Sequence, residues 1–219
     1  MSQPRILFMT PIYQSMEPKP HFFHMLMMRH MAMQEARGVY QTRFLQMGPR
    51  MPIRIARNRT CFDAVILAHA DYLFMVDDDT MPKDNTLDLL LEVDADIVGS
   101  LCFSSAGLPT CFLLDEDGME FNHPDPPRNG NFPVAAVGTG AMLIKTEVLK
   151  KLEDPWFYFT KEMSSMDVNF CRDARKLGCS IYCSADALIE QLDHGQETTP
   201  MWDPQPIGAP PESFVFSSR

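Results

Sequence analysis

The stretch Tyr72-Leu73-Phe74-Met75-Val76-Asp77-Asp78-Asp79-Thr80 runs an unbroken apolar segment directly into three carboxylates. A short continuous apolar run of this kind suits a strand buried on both faces, as in the middle of a parallel sheet. The acids then fall at its carboxyl end, where open α/β sheets bind their ligands. Three adjacent carboxylates repel one another strongly unless a positive group is close. A hard divalent cation carrying a diphosphate answers that need. Carboxylate oxygens take part of the Mg2+ or Mn2+ shell and phosphate oxygens take the rest. A solvated acidic turn capping the next helix is the plainer alternative. The position after a buried strand favours the metal.

The flanking sequence supplies the rest of the sheet. Arg5 to Ile12 is a short apolar run ended by Pro11 and reads as a first strand. His21 to Arg37 lacks Gly and Pro and reads as a helix, and Val39 to Met47 as a second strand. From Ile53 to Ala70 the apolar residues Ile53, Ala56, Cys61, Ala64, Val65 and Ala68 recur at helical spacing. Asn85 to Val93 is a further helix with Asp84 as its expected N-cap, and Asp96 to Phe103 a strand. This alternation predicts a parallel α/β sheet. Beyond it, Thr110 to Leu114 and Val134 to Lys145 read as strands around a Pro-, Asp- and Asn-rich loop, His123 to Phe132. Thr146 to Leu152 and Asp167 to Leu177 read as helices, and Cys179 to Cys183 as a late strand. Gly195 to Pro211 holds five prolines. The expected organisation is one folded domain, residues 1–194, and a Pro-rich tail or lid, residues 195–219.

Composition narrows the classes. A chain of 219 residues is one domain, or one domain with an excursion, and buries a core without disulfide or metal staples. At 45% hydrophobic and 22% charged it is not a disordered chain. Lys plus Arg number 19 against 29 for Asp plus Glu, a net charge of −10, which suits a phosphate-gripping nucleic-acid binder poorly but leaves room for a local basic groove. The six cysteines form no C-x-x-C pair, so free buried thiols in a reducing compartment are expected and a zinc site is not. The 17 methionines read as adaptable core filler. Met1 to Thr10 lacks the pattern of a signal peptide. Gly99, Ser100, Ser104, Ser105, Gly107 and Pro109 break the uncharged run Ile97 to Leu114, so no membrane span is expected and the expected setting is cytoplasmic.

Other phosphate chemistries fail on the same residues. An aspartyl phosphatase needs Thr or Val where Met81 stands, and an EF-hand loop needs a Gly and a closing Glu that are missing. No G-x-x-x-x-G-K-[ST] occurs, and no G-x-G-x-x-G follows the first strand.

Four segments in order carry a resemblance: Arg5–Ile12, Ile53-Arg54-Ile55-Ala56-Arg57-Asn58, Tyr72–Asp79 and Val137-Gly138-Thr139-Gly140-Ala141. With them the chain resembles GT-A fold glycosyltransferases, most of all small family-2-type enzymes that include viral and phage forms, over roughly residues 5 to 194. The resemblance implies a single α/β domain of Rossmann-like, nucleotide-binding GT-A type with a mostly parallel central sheet. It implies that Asp77 holds the ribose or uracil side of a nucleotide-sugar, that Asp79 is the metal ligand of a D-x-D motif, and that Asp78 shares either duty. Pro11 and Tyr13 would lie along the base. Arg57 would reach the diphosphate or pin an Asp carboxylate; otherwise it is a surface helix charge. Gly138 and Gly140 would line the donor-sugar pocket, or they mark a bulge or bend.

Asp167 would be the general base, although Met166 replaces the first acid of the usual pair and Asp167 equally suits a helix N-cap. His194 would be a further metal contact, with Glu190 and Asp193 as alternatives. The aromatic cluster Trp156-Phe157-Tyr158-Phe159 is core or an acceptor platform, and Trp202 a donor lid or part of a loose terminus.

The implied activity is metal-dependent hexosyl or pentosyl transfer with inversion. The donor is a nucleoside-diphosphate sugar, above all a UDP-sugar, and Mn2+ or Mg2+ is the cofactor. The acceptor stays open among glycan, protein, lipid-linked sugar and modified DNA base. Two rivals stand beside it. One is a non-catalytic nucleotide-sugar or carbohydrate-binding module. The other is a nucleotidyltransferase, which usually shows a Gly-rich basic loop where this chain has Pro11-Ile12-Tyr13-Gln14.

Overall fold

A computed structural model describes residues 3–12, 16–46, 51–104, 107–114, 121–122, 125–160 and 165–192. Tyr13, Asp193, His194, Trp202 and the tail 195–219 lie outside these residues. In chain order the elements are β1 (Arg5–Thr10), α1 (Pro18–Ala36), β2 (Gln41–Gln46), α2 (Ile53–Phe62), β3 (Tyr72–Val76), β4 (Thr80–Met81), α3 (Thr86–Leu91) and β5 (Ile97–Ser100). Then follow β6 (Cys111–Leu114), β7 (Phe121–Asn122), β8 (Asn131–Pro133), β9 (Ala136–Val137), β10 (Ala141–Lys145), α4 (Thr146–Lys151), α5 (Met166–Lys176), β11 (Ile181–Ser184) and β12 (Glu190–Gln191).

Among the described residues a seven-stranded sheet, ordered β2-β1-β3-β10-β5-β11-β8, forms the centre of a single mixed α/β domain. Strands β2, β1, β3, β5 and β11 run one way, while β10 and β8 run against them. The mostly parallel sheet is as the alternating pattern predicts. Successive strand residues point to opposite faces, and both faces are covered. Leu73 and Met75 of β3 join Leu7, Met9, Met142 and Ile144 in a core with α2, α4 and α5 residues. Phe74 and Val76 join Ile6, Phe8, Ala141 and Leu143 in a second core beneath α1 and α3. All six cysteines are buried and unbridged. No helix among the described residues is long and apolar enough to cross a membrane.

Three local expectations are corrected. Helix α1 starts at Pro18 rather than His21, because Pro18 and Pro20 fall in the first turn, where a missing N–H costs nothing. The helix from Ile53 loses α geometry at Phe62 and continues as one wider turn, Asp63–Leu67, closed by the Ala68 N–H on the Asp63 carbonyl at 2.8 Å. The expected single strand Val134–Lys145 is two strands on different sheets: β9 pairs with β6, and β10 enters the central sheet between β3 and β5. Gly138-Thr139-Gly140 makes the passage between them.

Candidate functional site

Strand β3 ends at Val76, so Asp77 leaves the carboxyl edge of the central sheet beside the end of its neighbour β1, where buried Pro11 follows Thr10. The acid loop turns sharply. The Thr80 hydroxyl donates to the Asp77 carbonyl at 2.8 Å and also lies 3.0 Å from the Gly140 carbonyl. The Asp77 N–H donates to that same Gly140 carbonyl at 3.1 Å. Gly140 is tightly placed, since a Cβ there would sit 3.3 Å from Ile189 Cδ1 and 3.5 Å from Thr80 Cγ2. At Gly138 a Cβ would meet Thr110 at 3.3 Å. The two glycines therefore fasten the acid loop to β10 and fix the residue between them.

The charge partner of the acid loop is Arg57. It projects from α2 and is only 6% exposed, not a surface helix charge. Its Nη2 donates to Asp77 Oδ1 at 3.1 Å, and its Nη1 to Asp167 Oδ1 at 2.8 Å. Nη2 also donates to the Thr139 hydroxyl. Thr139 Oγ1 lies 3.0 Å from Asp77 Oδ2 and 3.3 Å from Asp167 Oδ2. Phe157, stacked on Phe170 at 4.7 Å, places its ring 5.8 Å from the guanidinium carbon. Phe157 is thus core, but core that walls the site. The adjacent Asn58 side chain holds the Phe157 backbone at both ends, accepting from its N–H at 2.9 Å and donating to its carbonyl at 2.7 Å.

Burial opposes the Arg57 cation, but Asp167 and Asp77 outweigh it and hold its pKa above the ordinary value. Burial pushes the Asp77 carboxyl up to about 6 against the pull of Arg57, with Asp79 and Asp167 adding to the rise. A buried guanidinium inside the chain itself therefore offsets part of the repulsion expected within the acid triplet. Asp79 has partners of its own: its Oδ2 accepts from Gln191 Nε2 at 2.8 Å and its carbonyl from the Leu192 N–H at 2.7 Å. Those contacts belong to the small antiparallel pair β4–β12.

Asp167 is not the N-cap of α5. Ser165 is, its hydroxyl accepting from the Val168 N–H at 3.4 Å. With the cap supplied, Asp167 sits in the first helical turn and its carboxylate is free to meet Arg57. Asp84 likewise does not cap α3; it bonds the neighbouring Asn85 N–H at 2.9 Å, and Asn85 holds the cap position.

Sequence reasoning misses three contributors. Thr139 is overshadowed by the glycines on either side of it. Gln191 carries no sequence signal. His24 does: Pro20, His24, Met27 and Met31 form the buried stripe of α1, and a lone imidazole among them needs polar partners. Its Nε2 lies 3.1 Å from the Thr80 carbonyl, which can only accept, so Nε2 carries the hydrogen and Nδ1 is left to accept from the Thr10 hydroxyl at 3.5 Å. Burial pushes this imidazole down to about 4. His24 therefore ties the end of β1 to the acid loop in its neutral form.

For a divalent ion, no three His, Cys, Asp or Glu side chains converge among the described residues. Asp77 is committed to Arg57 and Thr139. Asp78 and Asp79 carry the other two carboxylates of the loop, and one or two carboxylates completed by oxygens from outside the protein is an ordinary arrangement for Mg2+ or Mn2+. The described residues therefore do not cage a metal by themselves; an ion there would need further ligands from outside these side chains.

No protein-family model matches the chain, and no curated protein sequence matches it. Solved structures do. The A197 protein from STIV superposes with a TM-score of 0.55 at 13% identity, over 88% of this chain and 96% of that one. GalNAc-T7, solved with UDP, GalNAc and Mn2+, superposes with a TM-score of 0.52 at 10% identity, over 88% of this chain and 44% of that one. An inositol-1-phosphate CTP transferase from T. maritima reaches only 0.47 at 10% identity, too low to argue from. These likenesses establish a GT-A-like fold.

Proposed function

We propose that the protein is a glycosyltransferase that uses a nucleoside-diphosphate sugar, with uridine as the preferred nucleoside. The observation that carries this reading is the convergence of Asp77, Asp167 and Thr139 on the buried Arg57 at the carboxyl edge of a GT-A-like sheet. Folds of this kind bind ligands at that edge. A buried cation holding two carboxylates from distant elements is more than a fold needs for stability.

In this reading the base of the donor lies along Pro11 and Tyr13, and Asp77 faces its ribose or uracil. The glycine-flanked turn at Gly138 and Gly140 borders the sugar. Asp79, aided by Asp78, holds the divalent ion. His194 is the proposed further ligand, an imidazole beside carboxylate and phosphate oxygens suiting Mn2+. When bound, the metal neutralises charge developing on the leaving diphosphate. Arg57 holds Asp167 at one oxygen, and Asp167 takes the proton of the acceptor hydroxyl. The acceptor oxygen bonds to the anomeric carbon as the bond to the diphosphate breaks, and the electron pair leaves with the nucleoside diphosphate. Attack from the opposite face gives inversion.

The test is a panel of nucleoside-diphosphate sugars with Mn2+, scored by release of nucleoside diphosphate, with UDP binding followed by calorimetry. A UDP-sugar should be hydrolysed slowly by the wild-type chain. Asp167→Asn should bind UDP as before and lose roughly a hundredfold or more in turnover. Asp79→Ala should lose the Mn2+-supported rate. Absence of both binding and hydrolysis with every donor would overturn the reading, and unchanged turnover in Asp167→Asn would remove Asp167 as the base.

A further inference from the structure

A threonine hydroxyl has one hydrogen to give and two lone pairs to receive with. Thr139 is 2% exposed, so water does not compete for either. Three groups surround its Oγ1: Arg57 Nη2, Asp77 Oδ2 at 3.0 Å and Asp167 Oδ2 at 3.3 Å. Arg57 can only donate, so it occupies one lone pair. Both carboxylates can only accept while ionised, yet a single hydrogen is available. The shorter contact takes it, and that is Asp77.

The second lone pair of Thr139 then faces Asp167 Oδ2 with no hydrogen between them. The other Asp167 oxygen already accepts from Arg57 Nη1 at 2.8 Å. Oδ2 is therefore the more basic oxygen. When it takes a proton, the same 3.3 Å contact becomes an O–H···O bond to Thr139, and an unfavourable pairing of oxygens turns into a favourable one. Resting on the transferase reading above, we infer that Thr139 is a positioning residue whose one hydrogen, given to Asp77, leaves Asp167 Oδ2 open to the acceptor's proton and whose free lone pair stabilises Asp167 once protonated. The backbone fixes the hydroxyl in this place. The Gly138 N–H bonds the Thr110 carbonyl at 2.8 Å on one side, and the Gly140 carbonyl is bonded by the acid loop on the other.

The experiment compares Thr139→Val and Thr139→Ser with the wild-type full chain, using the donor that the wild type hydrolyses. Thr139→Val should bind UDP within about twofold of wild type and keep the donor KM, while kcat falls at least about tenfold. The other groups facing this carboxylate, Arg57 on α2, Asp77 in the acid loop and Cys171 on α5, are the same in every variant. Thr139→Ser should restore kcat to within about threefold of wild type. Should Thr139→Val not fold, Thr139→Ala removes the hydroxyl with less bulk and takes its place. A hydroxyl-free variant with wild-type kcat overturns the assignment. So does an equal loss in the serine and valine variants, which would make the methyl group responsible. A wild-type chain that turns over no donor overturns the transferase reading instead.

Discussion

Replacing Arg57 with methionine keeps a flexible side chain of similar length and removes the cation from between two carboxylates. Four charge-assisted hydrogen bonds disappear, two to Asp77 and one each to Asp167 and Thr139. Removing one partner of a buried ion pair costs about 3–5 kcal/mol. The side chains of Asp77 and Asp167 are 23% and 19% exposed, so water can partly replace the lost donors, and the lower end, about 3 kcal/mol, is expected. For a chain of this size that lowers Tm by about 6–12 °C. Urea and thermal unfolding at pH 7 measure it. The deficit should shrink as pH falls from 7 towards 4, because protonating Asp77, whose carboxyl is pushed up to about 6, removes part of the repulsion that Arg57 had balanced. Asp167→Asn on the Arg57→Met background should recover part of the loss, a coupling read from the double-mutant cycle. A deficit under about 1 kcal/mol, the same at every pH, would refute Arg57 as the compensating charge of the acid loop.

Two further outcomes follow from side chains outside the catalytic reading. His24 is held neutral in the fold with its pKa near 4 against 6.5 when unfolded, so the unfolded chain binds the extra proton between those values and stability is lost as pH falls from 6.5 to 4. The gap corresponds to about 3 kcal/mol, and His24→Gln, followed by urea unfolding across that range, should flatten the pH dependence by about that amount; parallel curves would contradict it. In the central strand β5, a Cβ at Gly99 would lie 2.6 Å from Val137 Cβ, so Gly99→Ala should cost about 1–3 kcal/mol in urea unfolding and regain most of it with Val137→Ala, whereas a neutral Gly99→Ala would mean that β9 yields easily.

The likeness of the fold is legible because the signals for it are local. The apolar run Tyr72–Val76, the helical spacing from Ile53 and the strand–helix alternation each depend on residues within a few positions of one another. What misleads are features in which local chemistry yields to packing. Val134–Lys145 looks like one strand because its apolar residues run almost unbroken, yet the turn at Gly138-Thr139-Gly140 sends its halves to different sheets. Asp167 looks like a cap because it is a carboxylate at a helix start, yet Ser165 already satisfies the helix.

By itself the sequence determined where most strands and helices lie and put a cluster of acids at the carboxyl end of a buried strand. Periodicity and strand ends are properties of neighbouring residues, so they can be read along the chain. Only the tertiary structure decided which charge answers those acids. Arg57 and Asp167 are 110 residues apart, and Thr139 reaches both from a third element. No spacing rule links them, because their meeting depends on how α2, β10 and α5 pack on the sheet, and an ion pair forms only where packing brings its partners within a few ångströms.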